Sequence, residues 1–109
     1  DAAKLIAEDG LRMSEEHNFE DQMERFRAFF ASIAIEEGQN DEARGILEPL
    51  LDSKMPRARV LAREYLGVIA LHSGDAEGAA AFWNDALAQN PAPLYERGLR
   101  ERLDALSKS

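Results

Sequence analysis

The sequence predicts an all-α domain of about six helices arranged in antiparallel pairs, with a C-terminal capping helix. Three observations carry this fold class. Apolar residues recur at spacings of three and four through most of the chain, and no stretch alternates apolar with polar residues for long enough to make a strand. A set of small and large positions also returns after 36 residues, the period of stacked helix pairs. With 109 residues, the chain is expected to form one domain over 1–109.

The elements follow in order. Ala3, Leu5, Ile6, Leu11 and Met13 predict an N-terminal helix from Asp1 to Met13, and the polar Ser14–Asn18 stretch predicts a connection. Phe26, Phe29, Phe30, Ile33 and Ala34 then share one side of a helix from Phe19 to Glu37, stopped by Gly38. Gln39–Asn40–Asp41 is expected to supply a capping side chain for a helix through Ala43, Ile46, Leu47, Leu50 and Leu51. Pro49 lacks a backbone donor and clashes one turn back, which predicts a kink or an end near Leu51. Pro56 suits a first helical turn, and Val60, Leu61, Leu66, Ile69 and Ala70 form the next apolar face, closed by Gly74. Asp75 caps a helix from Ala76 to Gln89 that carries Ala79, Phe82, Trp83, Ala86 and Leu87. After Asn90–Pro91, Leu94, Leu99, Leu103 and Leu106 mark the capping helix Pro93–Ser107, with Glu96–Arg100 and Arg97–Glu101 as exposed pairs four apart.

The recurrence aligns Ala34, Gly38, Ala43, Leu47 and Leu50 with Ala70, Gly74, Ala79, Trp83 and Ala86. Small residues let two antiparallel helices approach, and Leu47 or Trp83 fills the space against the following unit. Leu66, Gly67, Ala70, Gly74, Asp75, Ala79, Trp83, Ala86 and Pro91 resemble the tetratricopeptide repeat in its small, large and terminating positions. That resemblance implies an α-α superhelix with repeats at 19–53 and 57–91. The earlier copy departs from the pattern at Ala31, where a glycine is usual, and at Pro49, inside its second helix.

A narrower resemblance covers residues 38–109. Leu47–Glu48–Pro49–Leu50, Leu61–Ala62–Arg63–Glu64, Leu66–Gly67–Val68–Ile69–Ala70–Leu71, Ser73–Gly74–Asp75, Gly78–Ala79 and Ala81 to Trp83 are similar to the C-terminal part of the bacterial ancillary Sec-translocon subunit family. Kinship with that family implies a periplasm-facing repeat domain tethered to the inner membrane by an anchor upstream of Asp1. It also implies translocon subunits, periplasmic chaperones or secretory clients as partners. The alternative is a cytoplasmic repeat scaffold or a homodimer, with Phe82 or Trp83 serving the contact.

Composition narrows the chemistry. The net charge is −8, and it is uneven: residues 1–52 hold 14 acidic and five basic side chains, residues 53–109 seven and eight. Such a chain repels nucleic acid and anionic lipid headgroups. Without cysteine there is no thiolate nucleophile and no Cys-based zinc site. His17 and His72 sit in no metal-ligand spacing, the glycines form no phosphate cradle, and Glu36–Glu37 and Asp41–Glu42 read as solvated helix ends. Arg57, Arg59 and Arg63 likewise read as a solvated basic face. No catalytic, cofactor or metal residue is therefore assigned.

By resemblance the first helix of each repeat lines a concave surface, comprising Ala28, Ser32 and Ile35 in one repeat and Leu61, Glu64, Val68 and Leu71 in the next. The repeats that grip a peptide's terminal carboxylate use Lys and Asn where this chain has Glu64 and Val68. Glu64 would repel the anion and Val68 cannot donate, so an extended segment bearing apolar and basic residues is the expected ligand.

Overall fold

A computed structural model describes residues 20–108. These residues form five α-helices and one 3-10 turn, with no strand among them: α1 (Glu20–Glu36), α2 (Asn40–Leu47), the 3-10 turn Glu48–Asp52, α3 (Pro56–His72), α4 (Ala76–Ala88) and α5 (Pro93–Ser107). The expected Asp1–Met13 helix, the Ser14–Asn18 connection, Phe19 and His17 lie outside the described residues.

Both helix hairpins turn in the same way, 36 residues apart. Gly38 and Gly74 adopt φ of 79° and 82°, the left-handed region open to glycine without steric cost. Gly38 N–H donates to Ile35 O at 3.0 Å and Gln39 N–H to Ala34 O at 2.8 Å. One repeat later, Gly74 N–H donates to Leu71 O at 3.0 Å and Asp75 N–H to Ala70 O at 2.9 Å. Each pair of bonds satisfies carbonyls that the end of a helix leaves open, in the Schellman arrangement. The starts of the second helices differ. Asp75 accepts from Gly78 N–H at 2.8 Å, whereas Gln39, at the equivalent place before α2, makes no side-chain cap bond. The expected cap in Gln39–Asn40–Asp41 is therefore absent from that position, and Asp41 instead receives Arg44 Nη1 at 3.0 Å.

Pro49 acts earlier than the apolar pattern predicts. Its ring opposes the carbonyl one turn back and its nitrogen offers no hydrogen, so α2 stops at Leu47 and the chain tightens into a 3-10 turn. That turn keeps Leu50 buried. Ser53 follows in extended backbone, and its buried hydroxyl donates to Glu24 Oε2 at 2.6 Å while accepting Met55 N–H at 3.0 Å. One hydroxyl thus ties α1 to the approach of α3.

In the second hairpin α3 and α4 run antiparallel, shown by side chains that meet in reverse order: Arg59 with Gln89, Arg63 with Asp85, and Gly67 with Trp83. Trp83 is 1% exposed, lies on the bare backbone of Gly67, and donates its indole N–H to Glu64 O at 3.0 Å.

Two apolar cores share α3. The first joins Ala28, Ala31, Ala34 and Ile35 of α1 to Ala43, Leu47, Leu50, Ala62, Leu66 and Ile69. The second joins Val60 to Ala79, Trp83, Ala86 and Leu99, with Leu103 and Leu106 packed at its edge. The core face of α1 is consequently its alanine row. Phe29 is 46% exposed and Phe26 and Phe30 are half-buried, and none of the three rings belongs to either core formed by the described residues. The alanines let α2 and α3 approach α1 closely, and Ile35 is buried with them. The result is an elongated body of 45 × 29 × 20 Å.

Candidate functional site

The side chains singled out by sequence divide sharply in their accessibility. Ala28 and Ile35 are buried in the first core and have almost no surface to offer a ligand. Ser32 is half-buried, with its hydroxyl donated to Phe29 O at 2.7 Å. Leu61 packs partly against the first core and Val68 against both cores. Leu71 is the open position. The helical period explains this division: residues one turn apart share a face, but only the part of that face turned away from α2 remains free.

Glu64 is not a free anion. Its side chain is 16% exposed and pairs with Arg102 of α5 at 3.3 Å, and the Arg102 guanidinium stands 5.7 Å from the centroid of the Trp83 ring. The same strip holds Tyr65. Burial pushes its phenol above the ordinary 10.0, the Glu64 carboxylate adds to the push, and Arg102 and Ser32 oppose it. Groups from α1, α3 and α5 therefore meet on one side of the molecule. Tyr65 and Arg102 were missed by sequence reasoning, because Tyr65 stands next to a position already assigned to the face, and nothing local to α5 shows where Arg102 points.

The basic run also divides. Arg59 donates to Ser53 O at 2.7 Å and to Gln89 Oε1 at 3.2 Å. Arg63 bonds Asp85 and reaches Leu51 O at 3.2 Å and Arg59 O at 3.0 Å. These two are clamps between α4 and the segment preceding α3, and the solvated reading is corrected for both. Arg57 alone is exposed and makes no such bond among the described residues.

Arg57 stands at the rim of a cavity of about 350 Å³ between α1, the start of α3 and the α4–α5 connection. Glu24 and Arg25 line it from α1, Met55 and Leu61 from the α3 side, and Pro91 and Tyr95 from the α5 side. Leu61, which packs partly against the first core, therefore also lines the cavity.

Comparison with protein-family models, with curated proteins and with solved structures finds no match to this chain. Chemistry at the site is carried by hydrogen-bond donors, one ion pair and apolar walls. Among the described residues no group of three or more His, Asp or Glu side chains is placed to hold a metal ion, and no helix is long and apolar enough to cross a membrane.

Proposed function

We propose that this chain is a tetratricopeptide-like interaction domain that holds an extended segment of another polypeptide on the face shared by α1, α3 and α5. The supporting observation is the repetition of the hairpin turn, with the same pair of backbone bonds at Gly38 and Gly74. Stacked equivalent hairpins leave their first helices side by side, and such a face suits an extended chain better than a compact substrate. Resemblance over residues 38–109 extends the proposal to a periplasm-facing, membrane-tethered role beside the Sec translocon, with translocon subunits, periplasmic chaperones or secretory clients as partners.

In-cell photocrosslinking tests the reading. A probe at Leu71 is expected to capture a discrete set of secretory or translocon polypeptides that a probe at the exposed Glu77 of α4 does not. Equal capture from both positions would remove the proposed face.

A second reading, self-association, is favoured by Leu94 and Phe29, which are 78% and 46% exposed. Phe82 lends it less support than the sequence implies, because its ring packs partly against the first core. Sedimentation across a hundredfold concentration range distinguishes the two, since a homodimer gains mass with concentration and a ligand-binding monomer does not.

A further inference from the structure

The cavity lining carries two guanidinium groups against one carboxylate, a net positive charge in a chain of net charge −8. Arg25 of α1 and Arg57 of α3 line it from separate helices, both are exposed, and neither makes a hydrogen bond or ion pair among the described residues. Glu24 is the one acid in the lining; it accepts the Ser53 hydroxyl at 2.6 Å, a bond to a neutral group that leaves its negative charge in place beside the two arginines. Gln89 accepts Arg59. Behind this rim the walls are apolar, formed by Met55, Leu61, Pro91 and Tyr95. A volume of about 350 Å³ lies at the small end of the roughly 300–1,000 Å³ of ligand pockets, enough for a side chain or two of a bound segment.

We propose that this cavity receives an apolar side chain of an extended partner segment, while Arg25 and Arg57 pair with an Asp or Glu side-chain carboxylate beside it in that segment. The inference rests on the polypeptide-binding reading and specifies the partner at one end of the face. It reverses the expectation of a basic ligand there. Arg102 neutralises Glu64, so the carboxylate that would have selected a cation is occupied, and the free guanidinium groups lie at the cavity. Guanidinium suits this task because its planar fork can meet a carboxylate with two donors.

The test is fluorescence anisotropy on the full chain with labelled decapeptides, capped at both ends, in a glycine–serine background. One carries two leucines flanked by two glutamates, the second replaces glutamate by glutamine, and the third replaces leucine by serine. The first is expected to bind tightest, the second about fivefold more weakly, and the third not measurably; the difference between the first two shrinks as salt rises. The double variant Arg25→Glu with Arg57→Glu is expected to prefer a lysine-for-glutamate peptide while keeping its melting temperature, because neither side chain is bonded in the fold.

Equal binding of the glutamate and glutamine peptides overturns the inference, as does an unchanged preference in the double variant. A glutamine peptide with a free terminal carboxylate that binds as tightly as the glutamate peptide also overturns it, by assigning the arginines to a chain end. If the glutamate and glutamine peptides bind alike and Leu71→Asp weakens both, the polypeptide-binding reading stands and only the cavity assignment falls. If no peptide binds, both fall.

Discussion

Gly67 and Trp83 form one unit. A Cβ at position 67 would stand 2.7 Å from Cδ1 and 2.8 Å from Cε2 of the indole, inside contact distance, and the ring is held by its bond to Glu64 O. Gly67→Ala is therefore expected to lower stability by about 2–3 kcal/mol despite the better helix propensity of alanine, read as a reduced urea midpoint at unchanged slope. Tyr65 gives a pH prediction. Its folded pKa is raised above 10.0, so its contribution is whole below that value. As pH rises past it, the unfolded chain loses the phenolic proton first and stability falls. Thermal melts between about pH 8 and 11 are expected to show a shallower alkaline decline in Tyr65→Phe than in the parent chain.

Hairpin equivalence has an energetic consequence at the scale of elements. Gly38 and Gly74 have nearly the same φ, and no atom lies within 4 Å of an added Cβ at either place. Only backbone strain then separates glycine from alanine. Gly38→Ala and Gly74→Ala are each expected to cost about 1 kcal/mol, equal within error by chemical denaturation. Unequal costs would show that the two turns are not mechanically equivalent. The helix boundaries show how local chemistry competes with periodicity. Leu50 and Leu51 continue the apolar rhythm of α2, yet Pro49 ends the α-helix two residues before it, at Leu47, and the burial of Leu50 survives through the 3-10 turn. A position marked apolar by period can thus keep its burial while changing its backbone.

For the whole molecule, two cores in series replace one shared centre. Leu47 lies in the first and Leu99 in the second, both fully buried. Each truncation to alanine is expected to cost about 3 kcal/mol. Because their clusters share no buried residue, the double variant should lose the sum within about 0.5 kcal/mol. A coupling well above that would argue for a single cooperative core across α3. The exposed side of α5 and the residue after it carry ion pairs: Arg100 with Glu96 at 3.0 Å, Arg97 with Glu101 at 3.4 Å and Lys108 with Asp104 at 3.0 Å. Exposed pairs of this kind add little stability.

Features that depend on neighbours in the chain could be read from sequence. The all-helical class, the stops at Gly38 and Gly74, the cap at Asp75, Pro56 in a first turn and the pairs on α5 are local, because backbone geometry and spacings of three or four specify them. Accessibility was not local. Ala28 and Ile35 shared a helical face with Ser32 in sequence, and only the approach of α2 and α3 decided that both would be buried. The same holds for the arginines. Arg57, Arg59 and Arg63 are alike in one dimension, but Ser53, Gln89 and Asp85 arrive from other elements to engage two of them and leave the third at a cavity. Secondary structure follows from forces acting within a few residues, whereas which charge remains free depends on contacts between segments far apart in the chain, made only when the helices pack.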